Sequence, residues 1–303
     1  CPGGRGSDIR ESGSCRNNRH IGRRKRGSGA DGKKERTMIT PAECFKWIGE
    51  RIKREWKLAW FSTVCIGLLI HMPILLSDIP NHDGLDSLYF DQNMVTSGRW
   101  FLTVACGFSS YYTLPWLIGL LGLAFLGCAA AALTELLEVE KGWAIVTVGG
   151  MLAAFPALAS TFAYVFTLDG YMLALLLSVL SVLITKKYRF GFLGGAVCLA
   201  FSLGTYQGYL SFAMILSLWA VLQRFAGPGG IREKLKKAVS YLYMGILGGA
   251  LYYGLLQLLL KIQGKELAGY QGIDGMAAGG AARAQGLLHT AAGMYRDFFV
   301  FSL

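Results

Sequence analysis

Between two long apolar runs the chain gathers Asp78, His82, Asp83, Asp86, Asp91 and Arg99. Asp83 and Asp86 stand three apart, so a helical turn over 85–91 would put both on one face. A carboxylate in that place can take the proton from a hydroxyl, provided its pKa stays below the working pH. Arg99 carries a fork of N–H donors that matches a phosphate. Trp100, Phe101, Tyr111, Tyr112 and Trp116 suit a membrane-interface belt and could stack on sugar rings. The plain alternative is a solvated surface loop with an Asp-Gly turn at Asp83-Gly84. His82 beside Asp83 could be half of a metal site, but one histidine among scattered aspartates is a poor ligand set. No cofactor is expected, and a divalent metal is the minor alternative.

The elements that must hold these residues follow from composition. The chain has 303 residues, 53% hydrophobic and 16% charged. Soluble domains carry roughly 25% charged residues, so this is a membrane protein. The net charge of +11 is unevenly spread, because residues 1–37 hold eleven Lys/Arg against four Asp/Glu. That pattern points to lipid head groups and topology, not to nucleic acid. Residues 1–37 are Gly/Ser/Arg-rich, cannot bury a core and are expected to be disordered. They either form a basic tail on anionic lipid or lie upstream of a true start at Met38, and they do not read as a signal peptide. Seven cysteines show no CxxC and no regular spacing, which reads as small packing residues instead of a disulfide frame or zinc site.

Residues 38–57 interleave Phe45, Trp47, Ile48, Ile52 and Trp56 with Lys46, Arg51, Lys53, Arg54 and Lys57, the pattern of an interfacial amphipathic helix. Residues 58–303 then form a multi-spanning domain with about seven spans: 58–76, 114–133, 143–162, 168–185, 188–205, 206–223 and 238–260. A single helix over 190–223 would be about 50 Å long, which exceeds a bilayer. A break near Gly204-Thr205-Tyr206-Gln207-Gly208 is therefore expected. Gly245, Gly248, Gly249 and Gly254 would permit close helix contacts. His71 reads as a packed histidine. Residues 291–303 open another apolar run, so the chain is expected to be part of something longer.

The positive-inside rule puts the N-terminus and connections 135–142, 186–189 and 224–237 in the cytoplasm. The Asp-rich loop, 163–167, the break at Tyr206 and residues from 261 onward then share the extracytoplasmic side. Asp169 and Tyr206-Gln207 join the loop's candidates there. Asp169 is also readable as the N-cap of its helix. Tyr206 and Gln207 could instead bond backbone groups freed by the break. There is no Walker loop, GxGxxG, HExxH or GxSxG, so nucleotide chemistry is not indicated, and a lipid-linked donor is the simplest alternative.

These residues carry a family resemblance. The run from His82-Asp-Gly-Leu-Asp86 to Ser97-Gly-Arg-Trp-Phe101 resembles the opening of the Gtr type II glucosyl transferases. Ser202-Leu-Gly-Thr-Tyr206-Gln-Gly-Tyr-Leu-Ser211 resembles a second family stretch, and Phe155-Pro156 with Thr167-Leu-Asp169-Gly-Tyr171 a third. The resemblance covers about residues 58–303. It implies an all-α, polytopic, GT-C-like transmembrane helix bundle in the bacterial cell membrane. It implies glucose transfer from undecaprenyl-phosphate glucose, a polyprenyl-phosphate sugar donor, to a cell-surface glycan acceptor on the outer face. Asp83 and Asp86 would be candidates for the catalytic base. Arg99 would be a candidate for donor phosphate, and Tyr206 and Gln207 match the second stretch without a role attached to it. By their place on the same side of the membrane, Trp100, Asp169, Tyr206 and Gln207 are the further substrate-binding candidates. Single displacement would invert the sugar carbon.

Two other functions compete. A transporter or flippase for a lipid-linked sugar would show mid-membrane charges and inverted repeats, and neither is visible. A non-catalytic scaffold would tolerate neutralisation of every aspartate in the loop.

Overall fold

The computed structural model describes residues 52–77, 94–106 and 114–268, together with residues 286, 289, 290, 292, 293 and 296. Every regular element among them is a helix. The chain is an all-α bundle of the polytopic membrane kind. Among the described residues, five helices are long and apolar enough to cross a bilayer, or six if one bent pair counts as a single span.

In chain order the helices are α1 (Arg54–Leu76), α2 (Leu102–Ala105), α3 (Pro115–Leu137), α4 (Gly142–Ala154) and α5 (Pro156–Phe162). A single 3-10 turn (Val165–Thr167) leads into α6 (Leu168–Lys187), α7 (Gly191–Thr205), α8 (Tyr209–Ala226) and α9 (Ile231–Gln263). Of the 38–57 lead-in only 52–57 is described, and 54–57 there is the first turn of α1.

Lipid tails are as apolar as leucine, so helices in a bilayer associate through close packing and hydrogen bonds. α1 shows how. Its buried residues Ala59, Thr63, Gly67, His71 and Leu75 recur every fourth position, one continuous face. That face meets α3 and α4. Further along the chain, α6 packs against α3, α7 and α8, and α9 closes on α7. Of the glycines expected to admit neighbours on α9, only Gly248 does so, against Leu199 and the Ala196 carbonyl. Gly245, Gly249 and Gly254 face open space.

Two helix breaks organise the bundle. The first is at Phe155, because Pro156 lacks the N–H that would continue the helix. α4 and α5 bend by 53° there. The last carbonyls of α4 thereby lose their partners. His71 of α1, 1% exposed, supplies one, its Nε2 donating to the Ala153 carbonyl at 3.0 Å. Its ring stacks on Phe162 of α5 with centroids 3.8 Å apart and planes 7° from parallel. The packed histidine is thus a cap for a broken helix.

The second break falls at residues 206–208, between α7 and α8. Tyr206 is extended (φ −154°, ψ 114°) and Gly208 restarts the helix. α7 has 15 residues, about 22 Å of helix, short of the roughly 30 Å hydrocarbon core. Residues 94–106 occupy the room above its end. Two hydroxyls of the core strap this region together. Ser178 Oγ donates to the Tyr209 carbonyl at 3.2 Å and Ser202 Oγ to the Ala174 carbonyl at 2.8 Å.

Replacing His71 by Leu keeps the volume but leaves the Ala153 carbonyl without its donor. The expected loss is about 1–3 kcal/mol, read as a lower thermal midpoint in detergent.

Candidate functional site

Residues 94–106 are built as a tight turn followed by one helical turn. Gly98 N–H donates to the Val95 carbonyl at 3.0 Å, and Arg99 N–H to the Met94 carbonyl at 2.6 Å. Gly98 takes φ +82°, a conformation that side chains with Cβ rarely adopt. A Cβ there would also lie 2.6 Å from Gln207 Nε2 and 2.7 Å from the Tyr252 hydroxyl. This turn brings distant parts of the chain together.

Gln207 Nε2 donates to the Ser97 carbonyl and to the Tyr252 hydroxyl, both at 3.1 Å. The Tyr252 hydroxyl in turn donates to the Gly98 carbonyl at 3.1 Å. Phe101 N–H donates to the Gly204 carbonyl at 2.7 Å, a carbonyl left over by the end of α7. Ala268 N–H, beyond α9, donates to the Thr96 carbonyl at 3.0 Å. Cys106 Sγ contacts the Thr167 carbonyl at 3.6 Å. The Asp-rich loop's C-terminal part, the connection before α6, the α7–α8 break and the segment after α9 therefore meet at one end of the bundle.

Arg99 is the centre of this arrangement. Its guanidinium lies 5.5 Å from the Tyr206 ring, and Nη1 reaches the Tyr171 hydroxyl at 3.5 Å. Tyr171 and Tyr206 lean together with ring centroids 5.0 Å apart, and Tyr209 meets Tyr206 edge-on at 5.5 Å. Arg99 Nε is buried without a hydrogen-bond partner, and no carboxylate pairs with the side chain among the described residues. The result is a half-buried cation on an aromatic bed, with open donor capacity.

The remaining sequence candidates divide. Tyr206 and Gln207 are brought to Arg99. Asp169 is buried, at 5% exposure, in the first turn of α6. The N-cap position is held by Thr167 instead. Asp169 Oδ1 accepts from the Gly170 amide at 3.0 Å, and a carboxylate in a first turn is favoured by the helix dipole. Trp100 departs from the expectation of a sugar-stacking surface. It is 8% exposed and packs edge-on to Phe101 and Phe201, against the bare backbone of Gly204. Asp78, His82, Asp83, Asp86 and Asp91 lie outside the described residues. No three His, Cys, Asp or Glu side chains converge on a metal-sized site among the described residues.

Sequence reasoning missed Tyr252 and assigned no role to Tyr171. Tyr252 was legible only as a polar tip within an apolar helix, with nothing to say which turn it would reach. Tyr171 lay inside a recognised stretch, one residue past Asp169-Gly170.

The family model described as Glucosyl transferase GtrII matches residues 72–283. The match runs from the last turn of α1 past the end of α9 and includes every candidate residue above. The chain belongs to that family and is a membrane glycosyltransferase. No curated protein and no solved structure matches it.

Gly98→Ala should displace the turn and with it Arg99. Glucosyl transfer is expected to fall about 10²-fold at unchanged membrane insertion. Gly249→Ala, in open space, is the matched control and should retain full transfer.

Proposed function

We propose that this protein moves glucose, or a related hexose, from a polyprenyl-phosphate-linked donor to a cell-surface glycan at the extracytoplasmic face of the bacterial cell membrane. Arg99 carries the reading. A half-buried guanidinium with an open Nε and no carboxylate partner among the described residues calls for an anion. In a membrane glycosyltransferase that lacks a nucleotide-binding motif, the anion best suited to it is the phosphate of a lipid-linked sugar.

The orientation is supported by the charges at the far end of the bundle. Lys186, Lys187, Arg189, Arg224, Lys236 and Lys237 cluster there, as a cytoplasmic face requires. The Arg99 end then faces outward, with the N-terminus inside. Donor lipid would reach it laterally through the bilayer and glycan from the aqueous side.

The reaction is a single displacement. The glucosyl C1–O bond to phosphate breaks, and the bonding pair leaves with polyprenyl phosphate beside Arg99. The acceptor hydroxyl oxygen forms the new bond at C1 from the opposite face, which inverts that carbon. Its proton passes to Asp83 or Asp86, in the loop that leads directly into residues 94–106. The donor is already activated by its phosphate, so the scheme requires no metal or other cofactor. Tyr206, 36% exposed, offers its ring to the donor. Gln207 holds the Arg99 turn through Ser97, and Asp169 and Trp100 support the site from behind.

Asp86→Asn is expected to abolish glucose transfer while protein level and membrane insertion stay normal. Full activity in both Asp83→Asn and Asp86→Asn would overturn the assignment of the base. Arg99→Gln should lower turnover about 10²–10³-fold, with partial recovery in Arg99→Lys. An acceptor whose glucose branch persists in cells lacking this gene would sink the whole reading.

A further inference from the structure

The opposite end of the bundle holds a charged cavity. α7 and α9 both run between the two ends, and a cavity of 910 Å³ opens where α9 begins, α8 ends and α6 passes into α7. Five cations line it, Lys186, Arg189, Arg224, Lys236 and Lys237, against two carboxylates, Glu138 and Glu233. An excess of positive charge held in one concavity raises the local concentration of anions.

The cations are not equally committed. Lys186 is fully engaged, with Glu138 at 2.9 Å, the Leu136 carbonyl at 2.7 Å and Gln223 at 3.1 Å. Lys237 donates to the Thr185 and Tyr188 carbonyls. Among the described residues Arg224 has one polar partner, Glu233, at 3.7 Å between two well-exposed groups, a contact that contributes little. Among the described residues Arg189 has no hydrogen bond or ion pair and lies over the Phe190 ring, 5.4 Å away. Lys236 has no hydrogen bond or ion pair among the described residues. Arg189, Arg224 and Lys236 thus share one cavity with their donors largely unused.

The rest of the lining is aromatic. Phe190, 64% exposed, and Tyr243, 54% exposed, stand at the cavity with their rings outward. Exposed aromatic rings beside cations at a span's end belong at the head-group level of a bilayer. A free phosphate would use the cations and leave these rings bare. A phospholipid would use both, and basic pockets between spans are where anionic head groups bind.

We propose that this cavity binds an anionic phospholipid, its phosphate on Arg189, Arg224 and Lys236 and its acyl chains along Phe190 and Tyr243. The proposal needs only a bundle that spans a bilayer. It is independent of the reaction at the other end.

Native mass spectrometry of the full chain in detergent tests it, with phosphatidylglycerol, phosphatidylcholine and inorganic phosphate as probes. The wild type should retain phosphatidylglycerol in preference to phosphatidylcholine. The Arg189→Gln/Lys236→Gln pair should weaken that retention about tenfold, and Arg189→Lys/Lys236→Arg should restore it. The single Arg189→Gln variant, which removes no hydrogen bond or ion pair among the described residues, should weaken it measurably without lowering the thermal midpoint. Equal retention of the two lipids, or unchanged retention in the glutamine pair, overturns the proposal. Displacement of the lipid by millimolar inorganic phosphate overturns it too, and assigns the cavity to a free anion.

Discussion

A broken helix inside a membrane protein exposes backbone carbonyls where no water can reach them. Each must be answered by a donor from elsewhere in the chain. At the end of α7 that donor is the Phe101 amide, bonded to the Gly204 carbonyl. The Arg99 site depends on this bond. It fixes residues 94–106 on top of a helix too short to fill its span. It also explains the bare Gly204 backbone, which lets the Trp100 ring lie flush against it. The same demand recurs in reverse, since the irregular turn at 94–99 has carbonyls of its own. Gln207, Tyr252 and the Ala268 amide answer those of Ser97, Gly98 and Thr96. The turn and the break satisfy each other.

The two ends of the bundle differ in how they treat charge. At the far end Glu135 is bracketed by Lys53 at 2.7 Å and Lys187 at 3.4 Å, and accepts the Trp56 indole N–H at 2.9 Å. Glu135 stands in the last turn of α3, and its pairing with Lys53 and Lys187 ties the start of α1, the end of α3 and the end of α6 together. At the near end, by contrast, the Arg99 guanidinium is met by aromatic rings and a tyrosine hydroxyl. Rings tolerate a cation without neutralising it, so among the described residues the guanidinium keeps its charge uncompensated.

Much of this was legible in the sequence, and the residues show why. The helix positions follow from apolar length, a signal that twenty residues repeat. The break at 206–208 follows from arithmetic, because the stretch 190–223 is too long for one span. The grouping of Arg99 with Tyr206 and Gln207 follows from which connections share a side. What was not legible is contact between specific turns. Nothing local marks Tyr252 as the partner of Gly98, and nothing in the sequence separates Gly248, which packs, from Gly249, which does not. Trp100 misled for a related reason. An interface tryptophan and a buried one look alike until the glycine opposite is known. His71 was readable as packed, but its bond to Ala153 depends on a bend that Pro156 creates some eighty residues later.

The long reach of these bonds also bears on biosynthesis. Gln207 meets Ser97 across 110 residues, and Tyr252 meets Gly98 across 154. Translation at roughly 5–20 residues per second separates Gly98 from Tyr252 by about 8–30 s. When the turn has been made, three of its carbonyls still await donors, from Gln207, Tyr252 and Ala268. It must wait in water or against the translocation machinery while α3 to α8 insert. Only the arrival of α9 and of Ala268 beyond it closes the turn. A turn made early in synthesis is therefore completed late, and a ribosome that stalls before α9 leaves a bundle in which the turn at 94–99 still lacks its partners.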